Sequence, residues 1–256
     1  MTELLKLENV SKKFGNKEVL KDINFNVNSG EIIGYIGSNG AGKSTTIKII
    51  LGLIDDYDGD VYVFGDKVKG KSEYKRKIGY VPEASDMYDN LTAYEYIGFI
   101  GNLYGIGSLK AVSKAKEMMN VFGIEDAIDG RIHTFSKGMR QKLSIITGML
   151  HNPDILFLDE PIGGIDANSV LVFKEIMKGL KNEGKTIFYS SHILEVVEKL
   201  SDRILLLNEG KVVMDGTMEE VREKQSDSTL ESIFNDVTGF HDHEQLANKF
   251  ISVFMN

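Results

Sequence analysis

Ile32-Ile33-Gly34-Tyr35-Ile36-Gly37-Ser38-Asn39-Gly40-Ala41-Gly42-Lys43-Ser44-Thr45 passes from an unbroken apolar run into a glycine-rich loop and out through Lys-Ser-Thr. An apolar run of this kind predicts a strand covered on both faces. Beyond the loop, Ile47, Ile50 and Leu51 share one face of a helix predicted over Ser44 to Leu53. Strand, glycine turn and helix in this order make half of a parallel α/β unit. Gly37 to Ser44 also has the spacing G-x-x-x-x-G-K-[ST], and the chemistry explains its residue types. Glycines let backbone N–H groups turn inward and approach phosphate oxygens closely. The following helix points its positive end at the same anion. Lys43 can reach β and γ phosphates, and the Ser44 hydroxyl can ligate Mg²⁺. Gly37, Ser38, Asn39, Gly40, Ala41, Gly42, Lys43, Ser44 and Thr45 are therefore expected to bind a nucleotide.

Upstream, Leu4 to Val10 and Val19 to Val27 alternate apolar and polar residues as half-buried strands do. Downstream, Val61 to Phe64 and Ile78 to Val81 read as two further strands. From Pro82 to His151 the pattern is helical. Leu109, Val112, Lys116, Met119 and Phe122 keep one 3-4-3 rhythm, and Met139, Leu143, Ile146 and Leu150 another. The core resumes with strands at Ile155 to Leu158 and Thr186 to Tyr189. Between them lies a helix with Val170, Phe173, Ile176, Met177 and Leu180 inward. A helix at Leu194 to Leu200 and a hairpin around Asn208-Glu209-Gly210 follow, and beyond Met218 the chain is charged and helical. The expected fold is α/β: a P-loop NTPase core with a mostly parallel sheet, an N-terminal antiparallel β subdomain and an inserted helical subdomain. The expected boundaries are a core at 1–82 and 152–220, a helical subdomain at about 83–151 and a helical, charged tail at 221–256.

Composition narrows the setting. Among 256 residues, Lys and Arg number 30 against 38 Asp and Glu, a net charge of −8 that disfavours a protein coating nucleic acid. The lack of cysteine excludes disulfides, a thiolate nucleophile and a cysteine metal site, and suits a reducing cytosol. No run approaches the roughly 18 to 20 apolar residues that span a bilayer. The best candidate, Ile97 to Ile106, is broken by Gly98, Gly101, Asn102 and Gly105. Glu3 and Glu8 among the first apolar residues do not read as a signal peptide. A soluble chain is expected, and a membrane-spanning part would have to come from another chain.

Ile155 to Leu158 ends in Asp159-Glu160. In open α/β sheets ligands collect beyond the carboxyl ends of the strands, so Asp159 should face the phosphate loop. Asp159 is then the natural Mg²⁺ partner, and Glu160 the natural base for an attacking water. His241-Asp242-His243-Glu244 has metal-ligand residue types but sits in a polar tail, and is expected to be solvated.

With these motifs the sequence resembles the ATP-binding cassette (ABC) ATPases over about residues 4 to 220. Phe14 stands where the family places an aromatic that stacks on adenine. Phe135-Ser136-Lys137-Gly138-Met139-Arg140-Gln141 stands at the family signature, Leu-Ser-Gly-Gly-Gln, keeping Ser136 and Gly138 but not the first glycine or the glutamine. The resemblance implies that this segment reaches the γ-phosphate held by a second subunit. Pro161 to Asp166 resembles the D-loop that joins two subunits, and His192 stands at the switch histidine that contacts the γ-phosphate. Glu83 occupies the Q-loop, where the family usually has a glutamine that ligates Mg²⁺ and links to the membrane partner.

The resemblance thus implies ATP and Mg²⁺ as cofactors, with Ser44, Asp159 and Glu83 at the metal and Glu160 and His192 catalytic. It also implies a second ABC ATPase subunit and a separate membrane permease as partners, on the cytoplasmic face of the membrane. The Ser-Lys-Gly-Met signature and the tail segment Leu230 to Gly239 are similar to export-type cassettes for drugs, lantibiotics and antimicrobial peptides. Met87, Tyr88, Tyr94, Tyr96, Phe99 and Tyr104 mark a candidate groove for a permease helix. Two other functions compete with the transporter subunit: a soluble ABC ATPase acting on ribosomes or nucleic acid, and a non-catalytic ATP-dependent clamp. Single-cassette length and net acidity disfavour the first, and retention of Glu160 and His192 disfavours the second.

Overall fold

Period-two alternation in the first 28 residues produces a long hairpin, β1 (Glu3–Phe14) and β2 (Lys17–Asn28), whose buried side chains include Leu5, Leu7, Leu20, Ile23 and Val27. The computed structural model describes residues 3–84, 86–191, 193–224, 229–239 and 243–255. After β3 (Ile32–Gly37) and α1 (Lys43–Ile50), β4 (Asp58–Val63) and β5 (Asp66–Lys67) join the hairpin in an antiparallel sheet ordered β2-β1-β4-β5. β6 (Ile78–Val81) leads into the helical block of α2 (Ala93–Leu103), α3 (Ser108–Val121) and α4 (Lys137–Met149). The chain returns through β7 (Ile155–Asp159), α5 (Ala167–Asn182), β8 (Thr186–Ser190), α6 (Leu194–Leu200), β9 (Arg203–Asn208) and β10 (Lys211–Thr217). It then runs through α7 (Met218–Lys224), α8 (Leu230–Thr238) and α9 (His243–Phe254).

The second sheet has the order β10-β9-β3-β8-β7-β6, parallel except for the β9–β10 hairpin. Successive side chains of a strand leave on opposite faces. Ile33, Tyr35, Phe157, Phe188, Leu205 and Leu207 therefore pack with α1 and the antiparallel sheet. Ile32, Ile36, Leu156, Leu158, Ile187, Tyr189, Ile204 and Leu206 pack with the remaining helices. Two covered faces explain why these strands are apolar at every position. No described helix is long and apolar enough to cross a membrane.

Two sequence expectations are adjusted. The first helix stops at Ile50 rather than Leu53: the Gly52 and Leu53 amides bond back to the Ile49 and Lys48 carbonyls, closing the helix in a glycine stop. Leu53 is left exposed. In α3 the inward face is Ala111, Val112, Ala115 and Met119, while Leu109 is 79% exposed and Lys116 pairs with Glu125 on the surface. In the tail, α8 buries Ile233 and packs Leu230 into the main core, and the Asn208 side-chain amide donates to the Val237 carbonyl at 3.2 Å.

The helical block is anchored where α4 crosses β6. A Cβ at Gly79 would lie 2.3 Å from the Gly148 carbonyl oxygen, so the two backbones touch directly. Gly79→Ala is expected to force them apart and destabilise the fold by about 1–3 kcal/mol. Gly179 lies inside α5 with open space where its Cβ would be, and Gly179→Ala should stabilise by about 0.5–1 kcal/mol. Denaturant unfolding midpoints that moved in the same direction for both variants would contradict this packing.

Candidate functional site

The loop between β3 and α1 turns through Gly40 and Gly42, whose φ angles are +80° and +114°. At Gly42 a Cβ would also fall 2.5 Å from Leu20 Cδ2 and 3.1 Å from the Val19 carbonyl oxygen, so no larger residue fits. This glycine is the N-cap of α1, and no side chain caps the helix. The amides of the first turn are thereby left to an anion, with the helix dipole behind them.

Lys43 is 8% exposed and folds its ammonium back into the loop, donating to the Gly37 carbonyl at 2.7 Å and the Ser38 carbonyl at 3.4 Å. Burial lowers its pKa from the usual lysine value, while the carboxylates of Glu160, Asp159 and Glu83 act in the opposite sense. A buried cation facing carboxylates, with loop carbonyls as its acceptors, is poised to exchange them for phosphate oxygens.

Next to Lys43, the Ser44 hydroxyl donates to Asp159 Oδ2 at 2.9 Å. Asp159 ends β7 at 4% exposure, and its other oxygen accepts the Ser190 hydroxyl at 2.5 Å. Strand register makes this pairing possible, because Asp159 lies opposite Ser190 in the parallel β7–β8 ladder. The next residue, Glu160, has φ +49°, a left-handed backbone that a non-glycine residue seldom adopts. Its amide donates to the Ser190 carbonyl at 3.1 Å and its carbonyl accepts from Gly163.

Phe14, the loop residues Asn39, Gly40, Gly42, Lys43, Ser44 and Thr45, and the acids Glu83, Asp159 and Glu160 line one cavity of about 470 Å³. That volume is within the roughly 300–1,000 Å³ common for small-molecule sites. Phe14 is half exposed at the end of β1. Tyr80, beneath the Glu83 loop, has its phenol pushed up to about 12 by burial and by the charges of Asp159 and Glu83. Ser44, Asp159 and Glu83 supply hard oxygen donors of the kind Mg²⁺ takes alongside water and phosphate. The described residues contain no cluster of three or more His, Cys, Asp or Glu side chains able to cage a metal by themselves.

Other sequence candidates lie elsewhere. Ser136 caps α4, its hydroxyl accepting from the Met139 amide at 3.2 Å, and Ser136 and Gly138 are outside the cavity wall. Asp166 caps α5: it accepts from the Ser169 amide at 3.0 Å and hydroxyl at 2.7 Å and pairs with Lys142 at 2.8 Å. These partners, Lys142 first, hold its carboxyl well below the usual range. His192 lies outside the described residues, as do His241 and Asp242. Of the groove candidates, Met87, Tyr88 and Phe99 line a second cavity of about 500 Å³ with Asp89, Asn90 and Leu91. Tyr94 is exposed, Tyr96 packs beside Tyr88, and Tyr104 stacks on His151.

Sequence reasoning missed Ser190 as the second partner of Asp159, although it directly follows the strand read at Thr186 to Tyr189. It also missed Asp89, whose carboxylate accepts from Arg140 Nη1 at 2.6 Å and so ties the second cavity to α4.

Residues 20–163 match the family model for the ABC transporter. The chain is 35% identical to the ABC transporter ATP-binding protein NatA of Bacillus subtilis, over 90% of this chain and 96% of that protein. It is 34% identical to the bacitracin transport ATP-binding protein BcrA of Bacillus licheniformis, over 88% of this chain and 73% of that protein. A solved ATP-binding subunit of an ABC transporter superposes with TM-score 0.85 at 31% identity, covering 91% of this chain and 98% of that one. The dimeric, post-hydrolysis cassette MJ0796 with ADP and Pi superposes with TM-score 0.77 at 26% identity, covering 84% of this chain and 99% of that one. With this coverage and a phosphate loop facing an acidic strand end, the chain belongs to the ABC transporter family, among its ATP-binding subunits.

Proposed function

We propose that this ATPase energises the export of a drug, peptide or similar substrate through a separate permease, docked at the cytoplasmic face of the membrane. The Ser44–Asp159 hydrogen bond at the mouth of a cavity that also holds Glu160 carries the reading. The likeness to a bacitracin transport ATP-binding protein supports a role in moving a substrate of this kind. As proposed domains, residues 1–82 and 152–220 form the ATPase core around a helical insertion at about 83–151, with 221–256 as a tail.

In the proposed mechanism, Lys43 and the amides of residues 38–45 hold the phosphates while Phe14 stacks on the base. Mg²⁺, held by Ser44 and Asp159 with Glu83 nearby, would neutralise charge on the β and γ phosphates. Glu160 accepts a proton from the attacking water, and His192 donates a hydrogen bond to the γ-phosphate. Ser136 and Gly138 of a second cassette bring a capped helix N-terminus to the same phosphate, with Asp166 beside that seam. The cassette MJ0796 in its dimeric form supports a two-subunit arrangement. The permease helix sits in the cavity of Met87, Tyr88 and Phe99, and the Asp89–Arg140 pair passes its movement to α4.

Glu160→Gln removes the base and keeps the shape. ATP should still bind, turnover should fall by about 10²–10⁴-fold, and a nucleotide-loaded dimer should accumulate in size-exclusion chromatography with light scattering. Wild-type turnover would exclude Glu160 as the base. Ser190→Ala leaves Asp159 with one hydroxyl partner fewer. The Mg²⁺ concentration for half-maximal ATPase rate should then rise about 10-fold or more, with ATP affinity in the absence of Mg²⁺ unchanged. An unaltered Mg²⁺ titration would disconnect Ser190 from the metal.

A further inference from the structure

Phe14, the aromatic in the wall of the nucleotide cavity, has a cation behind it. Lys12 precedes it by two residues on β1, where the pairing with β2 is irregular between Lys12 and Lys13. The Lys12 ammonium lies 4.9 Å from the centre of the Phe14 ring. Its side chain is only 6% exposed, and it is fixed by an ion pair to Asp56 at 2.9 Å. Phe14 lines the cavity and Lys12 does not, so the ring stands between the cation and the groups a ligand could touch directly.

We infer that Lys12 is a positioning residue for the base of the bound nucleotide, acting through Phe14. Two effects follow from the geometry. The ammonium attracts the negative face of the ring and holds a half-exposed side chain in one orientation, which lowers the ordering required when a base stacks on it. It also draws π density toward itself, so that the ring becomes a better partner for an electron-rich purine. Burial keeps the charge from being screened by water, where cation–π contacts are weakest. Asp56 is fully exposed, so removing Lys12 strands no buried charge and the fold should persist.

The inference rests on the proposed stacking of the base on Phe14, and its test separates the two. Titrate wild type, Lys12→Met, Lys12→Arg and Phe14→Ala by calorimetry with ATP and with inorganic tripolyphosphate, which has the phosphates but no base. Lys12→Met should weaken ATP binding about three- to fivefold and leave tripolyphosphate affinity unchanged, and Lys12→Arg should restore ATP affinity. Phe14→Ala should lose more ATP affinity than Lys12→Met, again without touching tripolyphosphate. If Lys12→Met weakens both ligands equally, or neither, the positioning role is wrong. If Phe14→Ala leaves ATP binding intact, the stacking reading itself fails and Lys12 falls with it.

Discussion

One carboxylate joins three elements of the nucleotide site. Asp159 accepts Ser44 Oγ from the start of α1 and Ser190 Oγ from the neighbouring strand β8, at 2.9 and 2.5 Å. A buried carboxylate is tolerated only when its oxygens are hydrogen-bonded, and here each oxygen has its own hydroxyl. The pairing works only if β7 and β8 keep their register, because a shift of one residue would turn Asp159 to the opposite face. The apolar residues of both strands, packed on two sides, prevent such a slip. Core packing is therefore the means by which a polar site is set to within a hydrogen-bond length.

The site also concentrates features that a purely structural segment would avoid. Glu160 sits in left-handed backbone, Lys43 is buried against loop carbonyls, and Gly42 replaces a side-chain cap. Each is unfavourable locally, and each places a donor, cation or carboxylate in the wall of the cavity. The loop glycines matter all the more because the chain as a whole is acidic. Positive potential at the loop comes from backbone amides and one lysine, not from net charge.

What could be read from sequence follows the range of the interactions involved. The phosphate loop and the β3–α1 unit were legible because eight consecutive residues carry both the turn chemistry and the phosphate chemistry. The covered strands were legible because a strand buried on two faces is apolar throughout. The α3 face was misread at Leu109 and Lys116: small residues, Ala111 and Ala115, face inward there, and small side chains weigh little in an apolar pattern. The burial of α8 was hidden because Leu230 and Ile233 are only two residues in a charged stretch. Ser190 lies 31 residues from Asp159, and the bond exists through strand register, which local patterning does not carry.

The separation of Ser136 and Gly138 from the cavity is informative in itself. Within one chain, the cavity collects the aromatic, the phosphate loop and the acids, while the capped N-terminus of α4 faces outward. That helix end is tied from two sides: Arg140 to Asp89 at the second cavity, and Lys142 to Asp166 at the cap of α5. A displacement of α4 would therefore be felt at both places, since its first turns carry both basic residues. In the proposed head-to-tail pair, closure of one subunit's α4 over the other's phosphates would thus move the seat of the permease and the subunit seam together. Neither movement requires a flexible linker, because the connections are ion pairs on the rigid helix that presents Ser136.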